Sequence, residues 1–95
     1  MDRNQEIKAD AGKLRMDLIP PEALEALAEV LTYGAEKYEK NQWQNVEPER
    51  YEAALLRHYA AYKRDPHGRD KESGIKHIRH LLCNAMFLTY LEDKA

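Results

Sequence analysis

The stretch Gly74 to Glu92, GIKHIRHLLCNAMFLTYLE, restricts what this chain can fold into more than any other. Placed on a helix at about 100° per residue, its apolar groups leave almost no free sector. Ile75, Ile78, Leu82 and Met86 take one side, Leu81, Ala85 and Leu88 the next, with Phe87 and Leu91 across from them. A helix that is apolar all round is buried on most sides, so the rest of the chain has to pack around it. His77, His80 and Asn84 nevertheless fall within about 60° of each other, at the i, i+3, i+7 spacing that stacks side chains on one face. Polar groups on a buried helix cost free energy unless they are paired or used. That stripe is the first candidate for function. A buried polar network that fixes helix register is the structural alternative.

Two more helices are written into the preceding segments. Pro20 and Pro21 suit a first helical turn, where a missing N–H costs nothing, and Glu22 and Glu25 suit its positive end. Leu24, Leu27, Ala28, Leu31, Ala35 and Tyr38 then recur at helical spacing, which predicts an amphipathic helix over about residues 21–40. Glu22, Glu25, Glu29 and Glu36 line its other face, as a solvated stripe or, alternatively, a cation site. Gly34 costs this helix roughly 1 kcal/mol relative to alanine. KYEKNQWQNVEP reads as a loop, with Trp43 either a flap over the core or a stacking surface for a base.

The second helix opens at Pro48 and runs to about Arg64. Tyr51, Ala54, Leu55, His58 and Tyr62 form its main stripe, and Ala53, Leu56 and Ala60 a smaller one, as if it packed on two sides. His58 thus lies on an apolar face, as a satisfied core histidine or a ligand, while Arg57 points elsewhere and can reach an anion. DPHGRDKES is a turn. Ser73 reads as the N-cap of a last helix over about residues 73–92, and Glu72 stands about one turn from His77.

The expected architecture is all-α: a small bundle of three main helices joined by short connections. Residues 1–19 form an extended N-terminal arm and residues 20–95 a helical core, within one domain. A chain of 95 residues buries only a thin core, so oligomerisation is expected to complete it. The arm carries Asp10, Gly12, Lys13 and Arg15, and reads as a solvated tail or as a segment closing over a phosphate.

Composition excludes several classes of function. With a net charge of −2 and 34% charged residues, nothing favours duplex nucleic acid or an anionic membrane as partner. A single cysteine, Cys83, rules out an internal disulfide framework and fits a reducing compartment. No apolar run reaches the ~20 residues of a membrane span and no leader pattern opens the chain, so a cytoplasmic protein is expected.

Glu72, His77, His80 and Asn84 converge near one point on this reading, with His58 facing them from the second helix. Carboxylates suit Mg²⁺ and Mn²⁺, whereas imidazoles favour Zn²⁺ and other transition metals. A carboxylate beside an imidazole also serves general acid–base chemistry. Lys13, Arg15, Lys37 and Arg57 are candidate phosphate partners. The spacing His77-x-x-His80 is not the HExxH of zinc proteases, no glycine-rich phosphate loop is present, and no serine or cysteine sits in a nucleophile motif.

Together, DAGKLRMDLIP, VLTYGAEKYEKNQW, RYEAALLRH and DKESGIKHIRHLLCN resemble the N-terminal domain family of phage dATP/dGTP diphosphohydrolases, over about residues 8 to 92. That family is similar to MazG-type all-α pyrophosphohydrolases. The resemblance implies cleavage of purine deoxynucleoside triphosphates to monophosphate and pyrophosphate with a divalent cation, Mg²⁺ or Mn²⁺, in the host cytoplasm for a phage protein. The matching positions are Lys13, Arg15, Lys37, Tyr38, Trp43, Arg57, His58, Glu72, Ser73, Gly74, His77, His80 and Asn84. The roles read for them are catalysis for Glu72, His77 and His58, and metal ligation for Glu72, His77, His80 and Asn84. Nucleotide contact falls to Lys13, Arg15, Lys37, Tyr38, Trp43, Arg57 and Ser73. One departure stands out. MazG-type enzymes gather ExxE and ExxD on successive helices, whereas here the nearest pattern is Glu36-x-x-Glu39 and Glu49-x-x-Glu52, with Glu36 opposite its helix's core face. Either the metal site is rebuilt around Glu72 and the histidines, or catalysis is absent. A protein that sequesters a nucleotide signal without cleaving it, and a helical adaptor, are the alternatives.

Overall fold

The computed structural model describes residues 11–92, so the first ten residues of the expected arm lie outside it. Three α-helices carry the fold: α1 at Pro21–Lys37, α2 at Pro48–Arg64 and α3 at His77–Glu92. Short 3₁₀ turns at Met16–Leu18 and Gln42–Asn45 precede α1 and α2. Among the described residues the only β pairing is an isolated antiparallel bridge between Arg69 and Lys76. The protein is an all-α small bundle, as expected.

Both α1 and α2 begin on proline in the first turn, where its fixed φ is already helical. The bounds of α2 match the sequence reading. α1 stops at Lys37, three residues short of the expected end, because Tyr38 is extended at φ −124° and ψ −178°. α3 starts at His77 rather than near residue 73. Gly74 has φ +73°, a left-handed value that no right-handed helix accommodates. Ser73 is therefore a loop residue and not the N-cap of α3.

α3 packs against both α1 and α2, which do not pack against each other. The layout is a layer with α3 in the middle, which is what its all-round apolar sequence requires. The core is thin: Ala26, Val30, Ile75 and Cys83 are buried, with Leu27, Leu31, Tyr33, Met86 and Phe87 packed on them. The stripe expected to face inward on α1 is rotated. Ala26 and Val30 go inside, while Leu24 stays 55% and Tyr38 60% exposed. With a single neighbour, α1 has only one sector to bury. The second stripe of α2, Ala53, Leu56 and Ala60, also faces outward within the single chain. On α3, Ile78 and Leu82 border a groove of about 360 Å³ shared with Ala26, Leu81 and Ala85.

The loop between α1 and α2 folds over α3. Trp43 stacks on Phe87 with ring centroids 4.7 Å apart and meets Tyr90 edge-on at 5.0 Å. The Tyr51 hydroxyl donates to the Trp43 carbonyl at 2.6 Å. This is the position of a flap over the core. Among the described residues no helix is long and apolar enough to cross a membrane.

Candidate functional site

The loop between α2 and α3 builds the site. The Asp70 N–H donates to the Ile75 carbonyl at 2.9 Å and the His77 N–H to the Gly68 carbonyl at 3.1 Å, closing a tight hairpin-like turn. The Arg69 guanidinium ties it further, donating to the Gly74 carbonyl at 2.9 Å. Asp70 caps this loop from within: its Oδ2 accepts the N–H groups of Glu72 and Ser73, each at 2.9 Å. Gly74, with its positive φ, completes the reversal, and its N–H donates to the Asp70 carbonyl at 2.8 Å. The result sets Asp70 against the first turn of α3.

α2 brings His58 to the same place. His58 Nδ1 lies 2.9 Å from His77 Nδ1, and the His80 ring stacks on His58 at 4.6 Å and 10°. One ligand atom each from His58, Asp70 and His77 lie within 4.8 Å of one another, all three side chains half-buried. Among the described residues this is the only group of three or more histidine, cysteine or carboxylate ligands that gathers so closely.

The electrostatics of the cluster favour neutral His58 and His80 rings beside an ionised Asp70. Burial, reinforced by the neighbouring His80 and His77, lowers the His58 pKa to about 4. Burial likewise lowers that of His80. Burial pushes Asp70 upward, but the Ser73 N–H and the nearby His80 and His58 outweigh it and hold the carboxyl below its ordinary range. Near neutral pH His58 therefore keeps a lone pair for a proton or a cation.

The other expected ligands take different positions. Glu72 is 61% exposed and ion-paired to Lys37. The Lys37 ammonium sits 5.2 Å from the Tyr38 ring centroid and 6.0 Å from that of Tyr33. Ser73 Oγ accepts the Ile75 N–H at 3.1 Å and ties His80 Nε2 at 2.7 Å, so it holds an imidazole in place. Asn84 is buried, and its Nδ2 donates to the His80 carbonyl at 2.9 Å. Of the four expected metal ligands, only His77 belongs to the gathered group.

Among the expected nucleotide contacts, Arg57 is exposed on α2 and close enough for its charge to lower the His58 pKa. Lys13 is exposed, and Arg15 makes a bidentate pair with Asp17 at 2.8 Å for each bond. Trp43 packs ten residues along α3 from His77, at Phe87, a separation of about 15 Å along the helix axis. The residue that sequence reasoning passed over is Asp70. Its signal is the run Asp70-Lys-Glu-Ser73-Gly74: an aspartate ahead of a serine and a glycine caps its own turn.

Comparison with known proteins agrees with the motif resemblance. The family described as dATP/dGTP diphosphohydrolase, N-terminal, matches residues 3–95. A dATP/dGTP diphosphohydrolase of Salmonella phage PMBT28 is 35% identical over 85 residues, covering 90% of this chain and 29% of that protein. The chain thus spans less than a third of that relative's length. No solved structure matches the chain.

Proposed function

Since the chain belongs to the dATP/dGTP diphosphohydrolase N-terminal family, we propose that it hydrolyses purine deoxynucleoside triphosphates to monophosphate and pyrophosphate at its histidine-rich end. The observation that carries this reading is the convergence of Asp70, His58 and His77 in a half-buried cluster, inside a family named for that activity. Water attacks the α-phosphorus, the bond to the bridging oxygen of the β-phosphate breaks, and pyrophosphate leaves. The neutral His58 ring or the ionised Asp70 takes the proton from the attacking water. His77 holds His58 in orientation through the Nδ1 contact. Lys37 and Arg57 are the cations assigned here to the phosphate charge, with Lys13 and Arg15 arriving from the arm. A triphosphate that engages Lys37 displaces Glu72 from it.

A divalent cation belongs to this reading and would neutralise phosphate charge when bound. The acidic pattern of MazG-type enzymes does not fit it here. Glu36, Glu39, Glu49 and Glu52 are all exposed; Glu39 lies beyond the end of α1, and α1 and α2 do not pack together. That mismatch favours one second reading, a chain that holds the nucleotide without cutting it. Self-association is part of the proposal, because Leu24, Leu56, Ile78 and Leu82 remain exposed on the single chain. Light scattering that gives a monomer mass would remove it.

The test is incubation with a panel of dNTPs and NTPs and a divalent cation, followed by chromatography. Monophosphate and pyrophosphate from dATP or dGTP support hydrolysis. Nucleotide recovered intact from a stable complex supports sequestration instead, and a diphosphate product overturns both.

A further inference from the structure

We infer that His58, Asp70 and His77 form a three-ligand centre for an imidazole-binding transition-metal ion such as Zn²⁺ or Fe²⁺, rather than for Mg²⁺. The inference deepens the hydrolase reading by naming the cation class of the same site, and it makes His58 and Asp70 ligands in place of proton acceptors, the bound ion being what would acidify the water; it rests on the geometry of three side chains and not on turnover.

The donor set comes first. Two imidazoles and one carboxylate lie with ligand atoms within 4.8 Å of one another. Mg²⁺ takes near-octahedral oxygen ligands and rarely imidazole, whereas Zn²⁺ and Fe²⁺ accept nitrogen readily. Spacing is the second argument. His58 Nδ1 and His77 Nδ1 are 2.9 Å apart. Two nitrogens bound at about 2.0–2.1 Å to a tetrahedral ion lie roughly 3.3 Å apart, so a small opening of the pair admits the ion. Two facing ring nitrogens otherwise need one shared proton between them.

The surroundings complete the case. Ligating groups in metal sites are steered by partners outside the ligand shell. Here Asp70 is fixed by two backbone N–H groups. His58 is fixed by the stacked His80 ring, which Ser73 Oγ holds at Nε2. His80 is thereby occupied with support, and the ligand count stays at three. Three protein ligands with open positions is the pattern of a working ion, whereas structural zinc is closed by four. An open position is where a water or a phosphate oxygen binds.

The probe is Co²⁺, added to metal-free protein and followed by visible absorption, with bound metal counted after dialysis. The expected result is one ion per chain, with the absorption of a low-coordinate nitrogen-ligated site, undiminished by millimolar Mg²⁺. His77→Ala and Asp70→Ala should each raise the dissociation constant more than about 100-fold, and Ser73→Ala by about 10-fold through the second layer. His67→Ala, in the same turn but outside the cluster, should change nothing. Circular dichroism of each variant separates lost ligation from lost folding, and Asp70→Asn gives a second, less disruptive probe. Displacement of Co²⁺ by Mg²⁺, or equal loss on His67→Ala, overturns the centre. Because the readout involves no nucleotide, a bound ion without turnover overturns only the hydrolase reading, and turnover without a bound ion overturns only the centre.

Discussion

The two ends of α3 use polar-capable rings in opposite ways. Near its C-terminus Phe87 and Tyr90 close with Trp43 and Tyr51 into a cluster in which faces meet faces and edges. The hydroxyls there are satisfied locally, Tyr51 on the Trp43 carbonyl and Tyr90 on the Gln44 amide oxygen. Burial pushes the Tyr51 phenol up to about 12, so that hydroxyl stays a donor near neutrality. Near the N-terminus of α3, three imidazoles face one another and a carboxylate across similar distances. Aromatic pairs contribute about 0.5–1.5 kcal/mol each beyond their burial. At the imidazole end burial instead disfavours the charged forms of His58 and His80. Equal packing with unequal chemistry marks one end as the fastener and makes the other the place proposed for function.

The largest expected effect separates the ends by activity. Asp70→Asn and His77→Ala should lower turnover by about 10²–10⁴-fold, with thermal stability nearly unchanged. Glu72→Ala should cost less than about 10-fold, because its carboxylate is exposed and engaged with Lys37. Steady-state product formation decides this. A Glu72 variant that loses more than the Asp70 variant moves the catalytic carboxylate back to Glu72.

Phe87→Ala makes the converse case. Removing a ring that Trp43 and Tyr51 both touch should destabilise by about 3–5 kcal/mol. At about 4–8 °C per kcal/mol for a domain of this size, the melting temperature should fall by more than about 10 °C. Turnover measured well below that temperature should hold. A stable Phe87 variant would mean that the aromatic end is not the fastener.

The ends should also differ in pH response. His58 titrates at about 4 in the fold against an ordinary 6.5, so between those values the unfolded chain binds more protons. Stability should therefore be full above pH 6.5 and fall as pH drops toward 4, with the depressed Asp70 adding to the loss at the acid end. Urea midpoints across this range should show the slope, and His58→Gln should reduce it to the part that His80 carries. A Phe87→Leu variant should shift the whole curve without changing its slope.

Much of the fastener is legible in the sequence, and less of the site. Pro48 and the stripe from Tyr51 to Tyr62 locate α2 because proline position and helical spacing are local properties. The all-round apolar character of α3 places it between its neighbours for the same reason. Its start is not local. Gly74 reads equally well as a helical residue, and only the loop closed between Asp70 and Ile75 forces it to positive φ. That closure also decides which carboxylate meets the imidazoles. Asp70 and Glu72 both precede His77, and linear spacing favours Glu72, while the capped turn faces Asp70 inward and leaves Glu72 to Lys37. On α1 the apolar stripe marks what is available for burial, but the single neighbour selects which part is buried.

The smallest expected effect tests whether the two ends share the ligand. Stacking of an aromatic ring on a base is worth about 1–3 kcal/mol, so a base seated on Trp43 would make that residue a strong determinant of affinity. The Trp43 ring is already stacked on Phe87 at 4.7 Å and flanked by Tyr90, and leaving them would forfeit both contacts. Trp43→Phe keeps a ring over Phe87 with little change in shape, and should leave the dissociation constant for dGTP within about 2-fold. Binding measured by fluorescence-independent calorimetry avoids confusing a lost tryptophan signal with lost affinity. A 10-fold or greater weakening, with the melting temperature held, would mean that the loop between α1 and α2 swings off the aromatic end to cover the nucleotide, and the division between fastener and site would then have to be redrawn through Trp43.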